Sequence, residues 1–115
     1  TWSLPRVVGT RKALELTLLA ETLNTEEALR LGIINQVVPA HSLVEETETL
    51  ARRLVAGPAF AYGRIKRLIR SSFENNLEEQ LDAEREAFCA CASTADFSEG
   101  LDAFFEKRRP VFHGR

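Results

Sequence analysis

The chain has 115 residues, 44% hydrophobic and 28% charged, with 15 basic residues against 17 acidic ones and a net charge of −2. This balance excludes a disordered chain and suits one small globular domain with a real core. It gives no electrostatic bias toward nucleic acid or a membrane surface, and no apolar run is long enough to span a bilayer.

In chain order, Pro5 sits near a helix start, where its missing N–H costs nothing. A short turn runs through Val8 and bends at Gly9. Residues 11–20, "RKALELTLLA", place Leu14, Leu18 and Leu19 on one helix face. Asn24 with Glu27 three residues on is a capping-box arrangement that opens a short helix through Leu31, and Gly32 is its natural stop. "IINQVV" (33–38), β-branched and ending at Pro39, is the one strand candidate. A lone strand has no partner here. It either pairs with a segment outside these residues or is irregular loop.

Ser42 with Glu45 reads as a second capping box, and Leu43, Thr47, Leu50 and Leu54 line one face of the helix it opens. Gly57-Pro58 breaks that helix. Residues 59–73 resume, with Ala61, Ile65, Leu68 and Ile69 inward and Arg64, Lys66, Arg67 and Arg70 outward. Asn75-Asn76 marks a turn. Leu77, Leu81, Phe88 and Ala92 stripe the next helix, whose outer face is acidic at Glu78, Glu79, Glu84 and Glu86. Ser93 or Asp96 is the expected cap of a final helix over 97–108. The fold class expected from these elements is mainly α, with one short strand near 33–38.

The N-terminal "TWSLPRVVG" carries no secretory signal pattern and no initiator methionine, and the chain contains no methionine at all, which suits a fragment or a processed chain. Cys89 and Cys91 lie two apart in a helical pattern, about 200° around the helix, so they cannot bridge each other. They read as small packing residues in a reducing compartment, the cytoplasm. No metal site is expected, since His41 and His113 are isolated.

No catalytic constellation emerges from the residues themselves. The carboxylates sit where solvated helix faces want them, and neither a Ser/His/Asp order nor a glycine-rich phosphate loop is present. The cluster Arg64, Lys66, Arg67, Arg70 reads as a solvated face balancing the acidic helix that follows. Lys107, Arg108 and Arg109 suit a helix C-terminus. The aromatic residues beside them also suit a ligand with a flat base and charged phosphates. Both readings stay open on chemistry alone.

Two separated segments carry a family likeness. "TWSLPRVVGTRKALELTLLAETLNTEEALRLGIINQVVP" and "ADFSEGLDAFFEKRRPVFHG" resemble, in order and spacing, the crotonase family, the enoyl-CoA hydratase/isomerase superfamily. "TWSLPR" and "STADFSEG" look most like its bacterial hydratases and the ring-opening isomerases of phenylacetate-type degradation. The resemblance implies the C-terminal helical part of the α/β crotonase spiral fold. Residues 1–38 would end the core, and 39–115 would form a helical oligomerisation and CoA-lid region.

The implied activity is hydration or double-bond isomerisation of unsaturated acyl-CoA thioesters through an enolate held in an oxyanion hole. The catalytic groups would lie upstream of Thr1, so no residue here is assigned as catalytic and the isolated chain is expected to be inactive. By the same resemblance Phe88 and Phe104 would lie near the bound acyl-CoA and Lys107 near its phosphates. Leu101 and Phe105 would pack. Coenzyme A enters as part of the substrate, with no cofactor implied. The partners implied are a homo-oligomer, trimer or hexamer, or an N-terminal half. The competing reading is a non-catalytic helical oligomerisation or binding module, or a truncated product.

Overall fold

A computed structural model describes residues 1–115. They form seven α-helices: α1 (Leu4–Val8), α2 (Thr10–Leu19), α3 (Thr25–Arg30), α4 (Leu43–Val55), α5 (Ala59–Ser71), α6 (Leu77–Ala92) and α7 (Ala95–Phe105). A single 3₁₀ turn, Ala40–Ser42, leads into α4. The chain divides into two compact units, Thr1–Glu46 and Thr47–Arg115.

In the first unit α1 packs on α2. Pro5 lies in the first turn of α1, as its fixed φ favours. Gly9 ends α1 at φ 79°, donating its N–H to the Pro5 carbonyl, and its own carbonyl accepts from Ala13 to begin α2. The Arg6 guanidinium stacks over the Trp2 ring at 4.0 Å. α3 is bounded as its sequence demands. The Asn24 side chain accepts the Glu27 N–H at 2.8 Å. The Glu27 carboxylate turns forward to Arg30, which holds it below the usual carboxylate range. At the other end Gly32, at φ 72°, closes a Schellman motif: Ile33 N–H bonds the Ala28 carbonyl and Gly32 N–H that of Leu29.

Residues 33–38 form no strand; they run as bends and irregular backbone. The β-branched composition is there, but no partner strand satisfies a ladder, so side-chain propensity does not decide the outcome.

In the second unit α5 packs on α6, and α6 on α7. Gly57 is needed at the α4–α5 break because a Cβ there would overlap the Tyr62 hydroxyl and lie 2.5 Å from its Cζ. Asn76 opens α6 with a full capping box: its side chain accepts the Glu79 N–H, and the Glu79 carboxylate accepts the Asn76 N–H, both at 3.0 Å. Gln80 reaches back from α6 to the Leu68 carbonyl of α5. α7 is capped by Thr94, whose hydroxyl accepts the Phe97 N–H at 3.2 Å. This corrects the expected cap at Ser93 or Asp96. Ser93 bonds back to Ala90, and Asp96 is committed to the C-terminal tail.

Burial is shallow in both units. The buried apolar residues are all alanines, Ala13, Ala28, Ala87 and Ala103. The stripes expected to face a core are largely uncovered within this chain. Leu14, Leu18 and Leu19 on α2, Leu43, Leu50 and Leu54 on α4, Ile65 and Ile69 on α5, and Leu77, Leu81 and Phe88 on α6 are all exposed. The periodicity builds the helices, but within each unit their apolar sides are left largely open.

Candidate functional site

Of the residues singled out for ligand contact, Phe88 lies on α6, Phe104 on α7 and Lys107 just past the end of α7. Phe97, Leu101 and Phe104 follow one another at i, i+4 and i+7 of α7, which places them along one side of the helix. Phe88 of α6 meets Phe97 edge-on, with ring centroids 6.0 Å apart and planes at 89°. Phe104 meets Phe105 in a second edge contact at 5.6 Å. Phe88, Phe104 and Phe105 nonetheless remain 64%, 77% and 76% exposed. Phe105 and the 45%-exposed Leu101, expected to pack, are not buried by this chain. The structure thus links Phe88 to the α7 band through Phe97, and that band is open.

Beside it lies an apolar cleft of about 290 Å³, walled by Pro58, Phe60, Cys91, Phe97, Leu101 and Phe112. Phe112 comes from the tail that follows α7, so the wall depends on where that tail lies.

Two carboxylates of α7 fix the tail. Asp96 is 4% exposed. Its two oxygens accept the backbone N–H groups of His113 at 2.7 Å and Gly114 at 2.8 Å, while its own N–H donates to the Arg115 carbonyl. One turn on, Glu99 takes the Arg108 guanidinium in a two-point pair at 2.5 and 2.8 Å, and the Val111 N–H at 2.8 Å. Those bonds, Arg108 first, hold the Glu99 carboxyl down to about 2. Gly100 faces the Phe112 ring, where a Cβ would sit at an ordinary contact distance of 3.7 Å. Gly114, at φ 77°, turns the chain end toward Ala59.

The basic cluster is thereby divided. Arg108 is engaged at the surface, paired with Glu99 and with Glu106, the latter at 2.6 Å. Lys107 carries no ion pair and is exposed. Its backbone is in the left-handed region at φ 55°. It occupies the position of a Schellman motif where glycine is usual: Arg108 N–H bonds the Ala103 carbonyl and Lys107 N–H that of Phe104. A lysine there costs about 1–2 kcal/mol over glycine. On α5, Arg64 lies over the Phe60 ring at 5.0 Å, and Lys66, Arg67 and Arg70 are exposed.

Sequence reasoning missed Asp96 as a tail anchor and missed Glu99 altogether. A carboxylate in the first turn of a helix is adequately explained by the helix dipole. The partners of these two lie nine to eighteen residues away, through a reversal that periodicity does not encode. Cys89 and Cys91 are free thiols, and no group of three metal-ligating side chains is assembled. No helix is long and apolar enough to cross a membrane.

The comparisons with known proteins converge. The family model described as "Enoyl-CoA hydratase/isomerase" matches residues 1–115. The chain is 43% identical, over its whole length, to the 1,2-epoxyphenylacetyl-CoA isomerase of Escherichia coli K12, covering 44% of that protein. It is 33% identical over 112 residues to a crotonyl-CoA hydratase of Syntrophomonas wolfei, covering 97% of this chain and 43% of the relative. The crystal structure of an enoyl-CoA hydratase subunit I of Geobacillus kaustophilus superposes with a TM-score of 0.91 at 37% identity, over 97% of this chain and 44% of that one. The chain therefore spans less than half the length of the relatives it matches, and its helices are those of a crotonase-fold protein. With the match running from the first residue to the last, the chain belongs to the enoyl-CoA hydratase/isomerase family.

Proposed function

We propose that these residues form the C-terminal portion of an enzyme acting on unsaturated or ring-strained acyl-CoA thioesters, and that they cover the thioester rather than carry out the proton transfers. The observation that carries this reading is the largely open apolar band, Phe88, Phe97, Leu101 and Phe104, with the unpaired cation Lys107 three residues beyond Phe104 in the chain. An apolar face suits an acyl-pantetheine arm, and a cation at its end suits a phosphate.

The division of labour follows from the residues present. Enolate chemistry needs fixed donors at the thioester oxygen and a carboxylate in reach of the substrate carbon. The carboxylates here are solvated or, at Asp96 and Glu99, spent on the tail. Those catalytic groups are assigned to polypeptide outside residues 1–115. The uncovered apolar faces of α2, α4, α5 and α6 are assigned to contacts with that polypeptide and with further subunits.

The test exchanges parts. The corresponding C-terminal 44% of the Escherichia coli isomerase is replaced by this chain. The chimera and the isolated chain are then assayed with 1,2-epoxyphenylacetyl-CoA, and the isolated chain with crotonyl-CoA as well. The expected result is turnover by the chimera and none by the isolated chain. Substantial turnover by the isolated chain overturns the reading, as does a folded chimera that fails to bind the thioester.

A further inference from the structure

We infer that Glu99 is a positioning residue for the phosphate end of the thioester: by pairing with Arg108, it steadies the left-handed turn that presents Lys107. The inference rests on the reading of Lys107 given above and deepens it.

The geometry leads there in three steps. Residues 107–109 are three consecutive cations on an exposed turn, and nothing in their composition decides which of them meets an anion. Glu99 decides it. Its carboxylate holds Arg108 at two points and also caps the Val111 N–H, so one side chain fixes the residues on both sides of Pro110. The Arg108 N–H on the Ala103 carbonyl and the Lys107 N–H on that of Phe104 hold Lys107 in the left-handed region, and the Glu99–Arg108 pair tethers the same turn through a side chain.

The second anchor, Asp96 on His113 and Gly114, holds the end of the tail but touches none of residues 106–109. The two carboxylates therefore have separable tasks. Asp96 seats the tail and Glu99 takes Arg108 and the turn at the end of α7. The low Glu99 carboxyl is consistent with a pair that stays ionised throughout the neutral range.

The chimera carries the test, assayed with the CoA thioester and with the same acyl group on pantetheine, which lacks the nucleotide phosphates. Glu99→Gln keeps an acceptor for Val111 but releases Arg108. It should raise KM for the CoA thioester about fivefold with kcat unchanged, as expected for the loss of one exposed charge contact and of uniform binding. KM for the pantetheine thioester should not move, whereas general loosening of the fold would shift both. Arg108→Gln should behave like Glu99→Gln, and Glu99→Gln/Lys107→Ala should be no worse than Lys107→Ala alone.

Lys107→Ala is the control that separates the two claims. If it leaves KM for the CoA thioester unchanged, the reading of Lys107 fails. If it raises KM while both Glu99→Gln and Arg108→Gln leave it unchanged, the Glu99 inference fails alone. Equal KM changes with both thioesters also overturn it.

Discussion

Asp96, in the first turn of α7, holds the backbone N–H of His113 at 2.7 Å, seventeen residues further along the chain. The same carboxylate takes Gly114 with its other oxygen, and it is the one buried charged residue. Asp96→Ala leaves two backbone N–H groups without an acceptor and should cost about 1–3 kcal/mol. Urea unfolding checks the magnitude. Hydrogen exchange at the His113 and Gly114 amides checks the cause, since protection there should fall before it falls in α6.

Lys107 at φ 55° sets stability against function. Lys107→Gly removes the steric penalty of the left-handed region and should stabilise the chain by about 1 kcal/mol. In the chimera the same change should raise KM for the CoA thioester. Ala20, at φ 52° in the C-cap of α2, supplies the comparison. Ala20→Gly should stabilise by a similar amount and leave KM alone.

Gly57 and Tyr62 make a coupled pair. Gly57→Ala drives a methyl group into the Tyr62 ring and should cost about 1–3 kcal/mol as the ring is displaced. Tyr62→Ala should abolish most of that cost, so a double-mutant cycle should give a coupling of about 1 kcal/mol or more.

The Glu99–Arg108 pair predicts how the tail responds to acid. The Glu99 carboxyl is lowered in the folded chain from its ordinary 4.5 to about 2. A group lowered on folding binds more protons when unfolded, so its contribution is full above about 4.5 and fades as pH falls toward 2. The Val111 amide and the Glu99 side-chain carbon should both titrate near 2 by NMR. A midpoint above 4 would show that the pair does not form in solution.

The helices and most of their ends could be read from local chemistry. Asn24, Gly32, the Gly57-Pro58 break and the Asn75-Asn76 turn act within a few residues, and sequence displays interactions of that range. The strand at 33–38 failed for the opposite reason: β-branched residues become a strand only against a partner. The Thr94 cap was displaced in the reading by its neighbour Asp96, an equally good capping type whose carboxylate is used elsewhere. Phe88, Phe104 and Lys107 were legible as candidates. What separates Lys107 from Arg108 was not, because it depends on Glu99, and that contact exists only once the chain has reversed direction.

The most direct test of the central claim is the paired assay of the isolated 115-residue chain and the chimera with 1,2-epoxyphenylacetyl-CoA. The account predicts no turnover by the isolated chain and restored isomerisation once it is joined to the remaining portion of the Escherichia coli relative. Isomerisation by the isolated chain would contradict it.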